Sequence, residues 1–132
     1  MYLLDTDTCI NISRGNRSVI QTLKSFSPAQ ITISVFTLYE MEYGLKKATF
    51  QLKEKRRALD KIKELFNTIS FGDQELLCAS EIRANLEQKG TPIGSIDYLI
   101  AGCAIANSCT LVTGNVKEFT RVEGLEVVNS IQ

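Results

Sequence analysis

Along the chain, short apolar runs alternate with longer stretches in which apolar residues recur every three to four positions. Met1-Tyr2-Leu3-Leu4 is an unbroken apolar run that stops on Asp5, the pattern of a strand buried on both faces. Ile10, Ile12 and residues 18–24 predict two short helices parted by Gly15-Asn16. Ile31-Thr32-Ile33-Ser34 is β-branched and reads as a second strand. From Val35 the period turns helical through Phe36, Tyr39, Met41, Tyr43 and Leu45 to Lys46-Lys47, with Ser34 placed to cap the helix. Residues 53–66 form a further helix with Leu59, Ile62, Leu65 and Phe66 on one face. Residues 68–71 make a third strand. Asp73 then caps an amphipathic helix that runs through Leu76, Leu77, Ala79, Ile82 and Leu86 and closes at Gly90. After Pro92 comes a helix over residues 95–107, apolar on nearly every side and therefore central. Residues 110–113 and 125–128 supply the fourth and fifth strands.

Strands alternating with helices predict an α/β fold. The expected architecture is a three-layer α/β/α sandwich around a central, mostly parallel sheet of about five strands. The 132 residues hold two prolines and eight scattered glycines, with no linker, repeat or low-complexity tract, so residues 1–132 are read as a single domain. In such sheets chemistry gathers beyond the C-terminal strand ends. The apolar opening is short and carries Asp5 and Asp7, and no run approaches the roughly 20 apolar residues of a membrane span. A cytoplasmic protein without membrane contact is the expectation.

Composition narrows the chemistry sharply. There is no histidine, which excludes Ser-His-Asp and Cys-His catalysis, imidazole acid/base pairs and His-based zinc sites. Cys9, Cys78, Cys103 and Cys109 include no CxxC pair, so buried thiols are expected rather than disulfides or zinc ligands. Fifteen basic residues balance fifteen acidic ones; any nucleic-acid contact must come from local patches.

The acids fall where the fold expects a site. Asp5 ends strand one and Asp7 begins the next helix. Glu40 lies in the helix after strand two. Asp97 is the lone charge of the apolar helix, and Asn115 and Glu118 follow strand four. Acids crowded at one edge raise each other's pKa unless a cation neutralises them, and hard divalent ions with oxygen ligands are the natural cation. Mg²⁺ or Mn²⁺ in such a place suits in-line phosphodiester hydrolysis and needs no histidine. Each acid also has a plainer role. Asp7 is as good an N-cap as a ligand, Glu40 shares its helix with Glu42, and Asp97 would suit any helix N-terminus.

Leu3-Leu4-Asp5-Thr6-Asp7 and the run from Ile33 to Gly44, which contains Glu40-Met41-Glu42-Tyr43-Gly44, resemble the first two motifs of PIN-domain ribonucleases. Ile93-Gly94-Ser95-Ile96-Asp97-Tyr98-Leu99-Ile100-Ala101 and the run from Leu111 to Phe119 resemble the third and fourth. The four stand in the right order and spacing over nearly the whole chain, and the nearest likeness is to VapC toxins of bacterial type II toxin–antitoxin systems. The resemblance implies a Mg²⁺- or Mn²⁺-dependent endoribonuclease with Asp5, Glu40 and Asp97 as acids. It also implies a homodimer, a VapB-type antitoxin and structured RNA substrates, often tRNA, whose cleavage inhibits translation. Many family members carry an Asp where this chain has Asn115. Either Asn115 coordinates through its amide oxygen or a bound water, or Glu118 supplies that charge; Glu118 is ranked ahead, and Asp7 is a further possible ligand. Thr113 is placed to orient a carboxylate.

Lys46, Lys47, Lys53, Lys55, Arg56, Arg57, Lys61 and Lys63 offer RNA a local basic surface, interleaved with Glu54, Asp60 and Glu64. Arg14, Arg17, Lys117 and Arg121 lie nearer the acidic edge. Three rival readings stand beside this one. Asp5-Thr6-Asp7-Thr8-Cys9 resembles the start of haloacid-dehalogenase phosphatases but lacks the paired late acids. A receiver-type phospho-acceptor module finds only a weak match at Asp73 and no Lys in place. A PIN fold that has lost catalysis and only binds a partner is the third, kept in view by Asn115.

Overall fold

The computed structural model describes residues 1–131. Five strands, β1 (Tyr2–Leu4), β2 (Ile31–Ser34), β3 (Asn67–Ile69), β4 (Thr110–Thr113) and β5 (Val127–Asn129), form one sheet in the order β3-β2-β1-β4-β5. Every pairing is parallel, with Leu3 opposite Thr32 on one side and Leu111 on the other. Parallel neighbours demand crossover helices, and the chain supplies α1 (Thr6–Ser13), α2 (Arg17–Lys24), α3 (Val35–Lys47), α4 (Leu52–Leu65), α5 (Asp73–Gln88), α6 (Ser95–Ala106) and a one-turn α7 (Val116–Phe119).

Helices on both faces bury the central strands completely, and Leu3, Leu4, Ile33, Leu111 and Val112 are all 0% exposed. One core layer joins Leu3 and Leu111 to Ile100, Ala101, Cys103 and Ala104 of α6 and Leu86 of α5. The other joins Leu4, Ile33 and Val112 to Cys9 of α1, Val19 of α2 and Ile62 of α4. Cys9, Cys103 and Cys109 are buried free thiols and Cys78 is a partly buried one. Strand order reverses at β1, from which the chain builds outward first through β2 and β3 and later through β4 and β5. The crevice beyond the C-terminal ends of β1 and β4 is the switch point where such sheets bind ligands.

Ser34 caps α3 as its position predicts, its Oγ accepting from Thr37 N–H at 3.2 Å. Elsewhere the boundaries differ. The strand expected at 68–71 is Asn67–Ile69, because Phe71 leaves the sheet to pack edge-on against Phe36 with ring centroids 4.8 Å apart. The fifth strand, expected at 125–128, starts two residues later, at Val127, because Leu125 packs into the core from the turn before it. Gly72 rather than Asp73 is the N-cap of α5, and Glu75 reaches back to accept from Gly72 N–H at 2.8 Å. Leu65, Leu76 and Leu77 are expected inside and are more than half exposed.

The reason for the last two lies in how α5 meets α6. The helices approach so closely that a Cβ added at Gly102 would lie 2.6 Å from the Cβ of Ala79 and 2.8 Å from its backbone. The buried stripe of α5 is therefore the narrow line through Ala79 and Leu86, and Leu76 and Leu77 fall outside it. Gly102→Ala forces the helices apart and is expected to lower stability by roughly 1–3 kcal/mol, read as the urea midpoint at unchanged m-value. Among the described residues no helix is long and apolar enough to cross a membrane.

Candidate active site

Asp5 is the pivot of the switch-point crevice. Its N–H still donates to Val112 O at 3.2 Å as a ladder bond, and its side chain caps α1, Oδ1 accepting from Thr8 N–H at 2.9 Å. Asp5 and not Asp7 is thus the cap; Asp7 sits exposed within the first turn. The other carboxylate oxygen of Asp5, Oδ2, accepts from the buried Thr113 hydroxyl at 2.5 Å. Thr113 Oγ1 in turn accepts from Asn115 N–H at 2.9 Å, so β1 and β4 are locked together through one carboxylate. Burial raises the Asp5 pKa above the ordinary carboxylate range, and these hydrogen bonds oppose the rise.

Asn115 then settles its own place. Its amide Nδ2 donates to Glu118 Oε2 at 2.7 Å, so it holds Glu118 toward the crevice from the first turn of α7. Glu40 faces the same edge from α3, with one oxygen accepting from the Thr6 hydroxyl. Glu42, its sequence neighbour, is engaged elsewhere, paired at 2.7 and 2.9 Å with the two terminal nitrogens of Arg56. Asp97 enters from the first turn of α6, folded back over Gly94, where a Cβ would stand only 3.0 Å from Asp97 Oδ2. Burial pushes the Asp97 pKa up to about 6, and the negative charges of Asp5, Glu118, Glu40 and Asp7 add to the rise. All five acids therefore bear on one another's field at Asp97.

That donor set fits a hard divalent ion. The candidate donors are all oxygen, and an open cleft of about 370 Å³ beside them is lined by Asp7, Asn11, Arg14, Gly114 and Asn115. Among the described residues no three of the acids stand close enough to grip an ion by themselves, as expected of carboxylates whose repulsion is not neutralised. Magnesium is commonly held by one or two carboxylates and keeps several waters.

Residues 2–125 match the family model of the PIN domain. The chain belongs to the PIN-domain family. Its relatives place this PIN domain among the VapC proteins: ribonuclease VapC2 of Rickettsia felis is 36% identical over 131 residues, covering 98% of this chain and 97% of its own length. The tRNA(fMet)-specific endonuclease VapC of Salmonella typhimurium is 31% identical over 126 residues, covering 96% and 95%. Among solved structures, the Rickettsia felis VapBC2 complex bound to a promoter DNA fragment superposes with a TM-score of 0.89 at 34% identity over 97% of each chain. These likenesses agree with the four motifs read from the sequence.

Two features of this PIN domain escape a reading of motifs. Thr6, Thr8 and Thr37 are buried and wired to the acids or to each other; the only trace in the sequence is a threonine on each side of Asp7. The basic surface is also less free than its charges suggest. Arg56 is committed to Glu42 and Asp60, Lys46 lies 3.7 Å from Glu42, and Arg121 donates to Pro92 O at 3.0 Å. Lys47 and Lys55 instead sit over the exposed rings of Tyr43 and Phe50, at 5.0 and 3.8 Å.

Proposed function

We propose that this VapC-type PIN domain is a Mg²⁺- or Mn²⁺-dependent endoribonuclease, the toxin of a toxin–antitoxin pair, that cuts structured RNA such as tRNA and so inhibits translation. The observation that carries this reading is the field at Asp97. The negative charges of Asp5, Glu118, Glu40 and Asp7 all reach Asp97 from the ends of the strands and the helices that follow them. An ion held among Asp5, Glu40, Asp97 and Glu118 would supply the Lewis acidity for in-line attack of water on a phosphodiester. The chain's own residues do the positioning. Thr113 and Thr8 N–H fix both oxygens of Asp5, Asn115 fixes Glu118, and α6 presents Asp97 from a helix that carries no other charge. Cleavage in this manner leaves a 3′-hydroxyl and a 5′-phosphate. Loss of cleavage with EDTA and its return with Mg²⁺ is the test.

The Asn115 amide holds the acid Glu118 beside it, which favours the catalytic reading over that of a binding-only module. RNA would be gripped by cations free of ion pairs. Arg14 has none among the described residues, and it lines both the cleft beside Asp7 and a second, larger one beside Glu40 that ends at Phe50 and Lys55. Arg14→Gln is expected to weaken RNA binding across sequences and reduce the salt slope, d log K/d log[salt], by about 1. Fluorescence anisotropy on cleavage-dead Asp97→Asn protein measures it. A VapB-type antitoxin belongs to the same proposal, supported by neighbours solved as VapBC complexes, as does a homodimer.

A further inference from the structure

Glu40 is the one acid of the site whose support comes from side-chain hydroxyls of two different helices. The Thr6 hydroxyl donates to Glu40 Oε1, and with its proton committed there it is left to accept from Thr37 Oγ1, 3.2 Å away. Thr37 is fully buried and Thr6 is 8% exposed, so water does not replace either partner. Thr37 is itself fixed by the cap of α3, where Ser34 Oγ accepts its N–H at 3.2 Å. Two hydroxyls thus run in file from Thr37 to the carboxylate, tying α1, which Asp5 caps, to α3, which carries Glu40.

We propose that Thr6, backed by Thr37, is a positioning residue that sets the Glu40 carboxylate relative to Asp5 and so prepares the acids to receive a divalent ion. The inference rests on the metal-dependent reading above. A threonine that merely packed against α3 would need no hydroxyl, and valine would replace it at nearly equal volume. A positioning hydroxyl cannot be so replaced. Partners that orient metal ligands typically contribute 10–100-fold in affinity. Two hydroxyls in one file should also couple, so their losses should not add.

The test is Mn²⁺ and Mg²⁺ titration of wild type, Thr6→Val, Thr6→Ser, Thr37→Val and the double Val variant by calorimetry, with melting temperatures and RNA-cleavage kinetics alongside. The expected result is a loss of ion affinity of roughly 10–100-fold in Thr6→Val, recovery in Thr6→Ser, a smaller loss in Thr37→Val, and no further loss in the double variant. The ion concentration for half-maximal cleavage should rise in parallel, with little change in the rate at saturating ion. Wild-type affinity in Thr6→Val overturns the inference and leaves the metal reading standing. Absence of ion binding in the wild type overturns both. Should Thr6→Val fail to fold, Thr37→Val decides: an unchanged affinity there overturns the inference.

Discussion

Asp97→Asn is expected to abolish RNA cleavage, by on the order of 10³-fold or more, while making the metal-free protein more stable at neutral pH. The two effects have one cause. The Asp97 carboxyl has a pKa of about 6 in the fold, against an ordinary value of 3.8, so at pH 7 the folded chain carries a charge it would rather not hold. A folded pKa raised above the unfolded one means that stability contributed by the protonated form is present below about pH 4 and is lost as pH rises through about 6. The amide removes that loss, a gain on the order of 1–2 kcal/mol once solvent screening is allowed for. It also removes the charge an ion needs. Asp5→Asn should cut cleavage as deeply without the same gain in stability, because Thr113 Oγ1 already accepts from Asn115 N–H and donates to Asp5. An amide nitrogen opposite it leaves a donor unpaired. Thermal melts and cleavage rates of both variants check this, and full activity in either would remove that residue from the site.

Saturating Mg²⁺ or Mn²⁺ should raise the melting temperature markedly near pH 7.5 and little near pH 5. Ions bind ionised carboxylates and displace their protons, and both Asp5 and Asp97 hold protons to higher pH than a free carboxyl does. As pH rises through about 6 Asp97 ionises against the negative charges around it, and a cation relieves that repulsion. At one hundred times its dissociation constant an ion adds about 2.7 kcal/mol, on the order of 8 °C for a domain of this size. A shift of equal size at both pH values would show that the ion binds somewhere other than this cluster.

How much of this was legible in the sequence differs from residue to residue. Asp5 stood out because an acid directly after an unbroken apolar strand has few structural reasons to be there, and Asp97 because its helix has no other charge. The parallel sheet followed from strands that are apolar on both faces. Glu40 stood apart from Glu42 through the motif resemblance alone; the physical reason, Arg56 arriving from α4 to pair with Glu42, is a contact between residues 14 apart in the chain. Thr113 was legible from its place at the end of strand four as a residue to orient a carboxylate, though not that the carboxylate is Asp5, 108 residues away. The Thr6–Thr37 pair, 31 residues apart, carries no such signal and reveals itself only when α1 and α3 pack. Asn115 was legible as a departure from a family pattern, but not as the residue that holds Glu118. Leu76 and Leu77 misled in the opposite sense: their spacing is helical, yet the glycine at 102 narrows the contact to one line of small side chains.

The central claim, that the acids at the switch point hold a divalent ion for RNA hydrolysis, is tested most directly by one cleavage assay. Purified wild-type protein is stripped with EDTA, mixed with total tRNA, and divided between Mg²⁺, Mn²⁺ and no added ion, with Asp97→Asn treated in parallel. Cleavage only with Mg²⁺ or Mn²⁺, only in the wild type, and with 5′-phosphate ends is the predicted result. Equal cleavage in EDTA, or by Asp97→Asn with added ion, would contradict it.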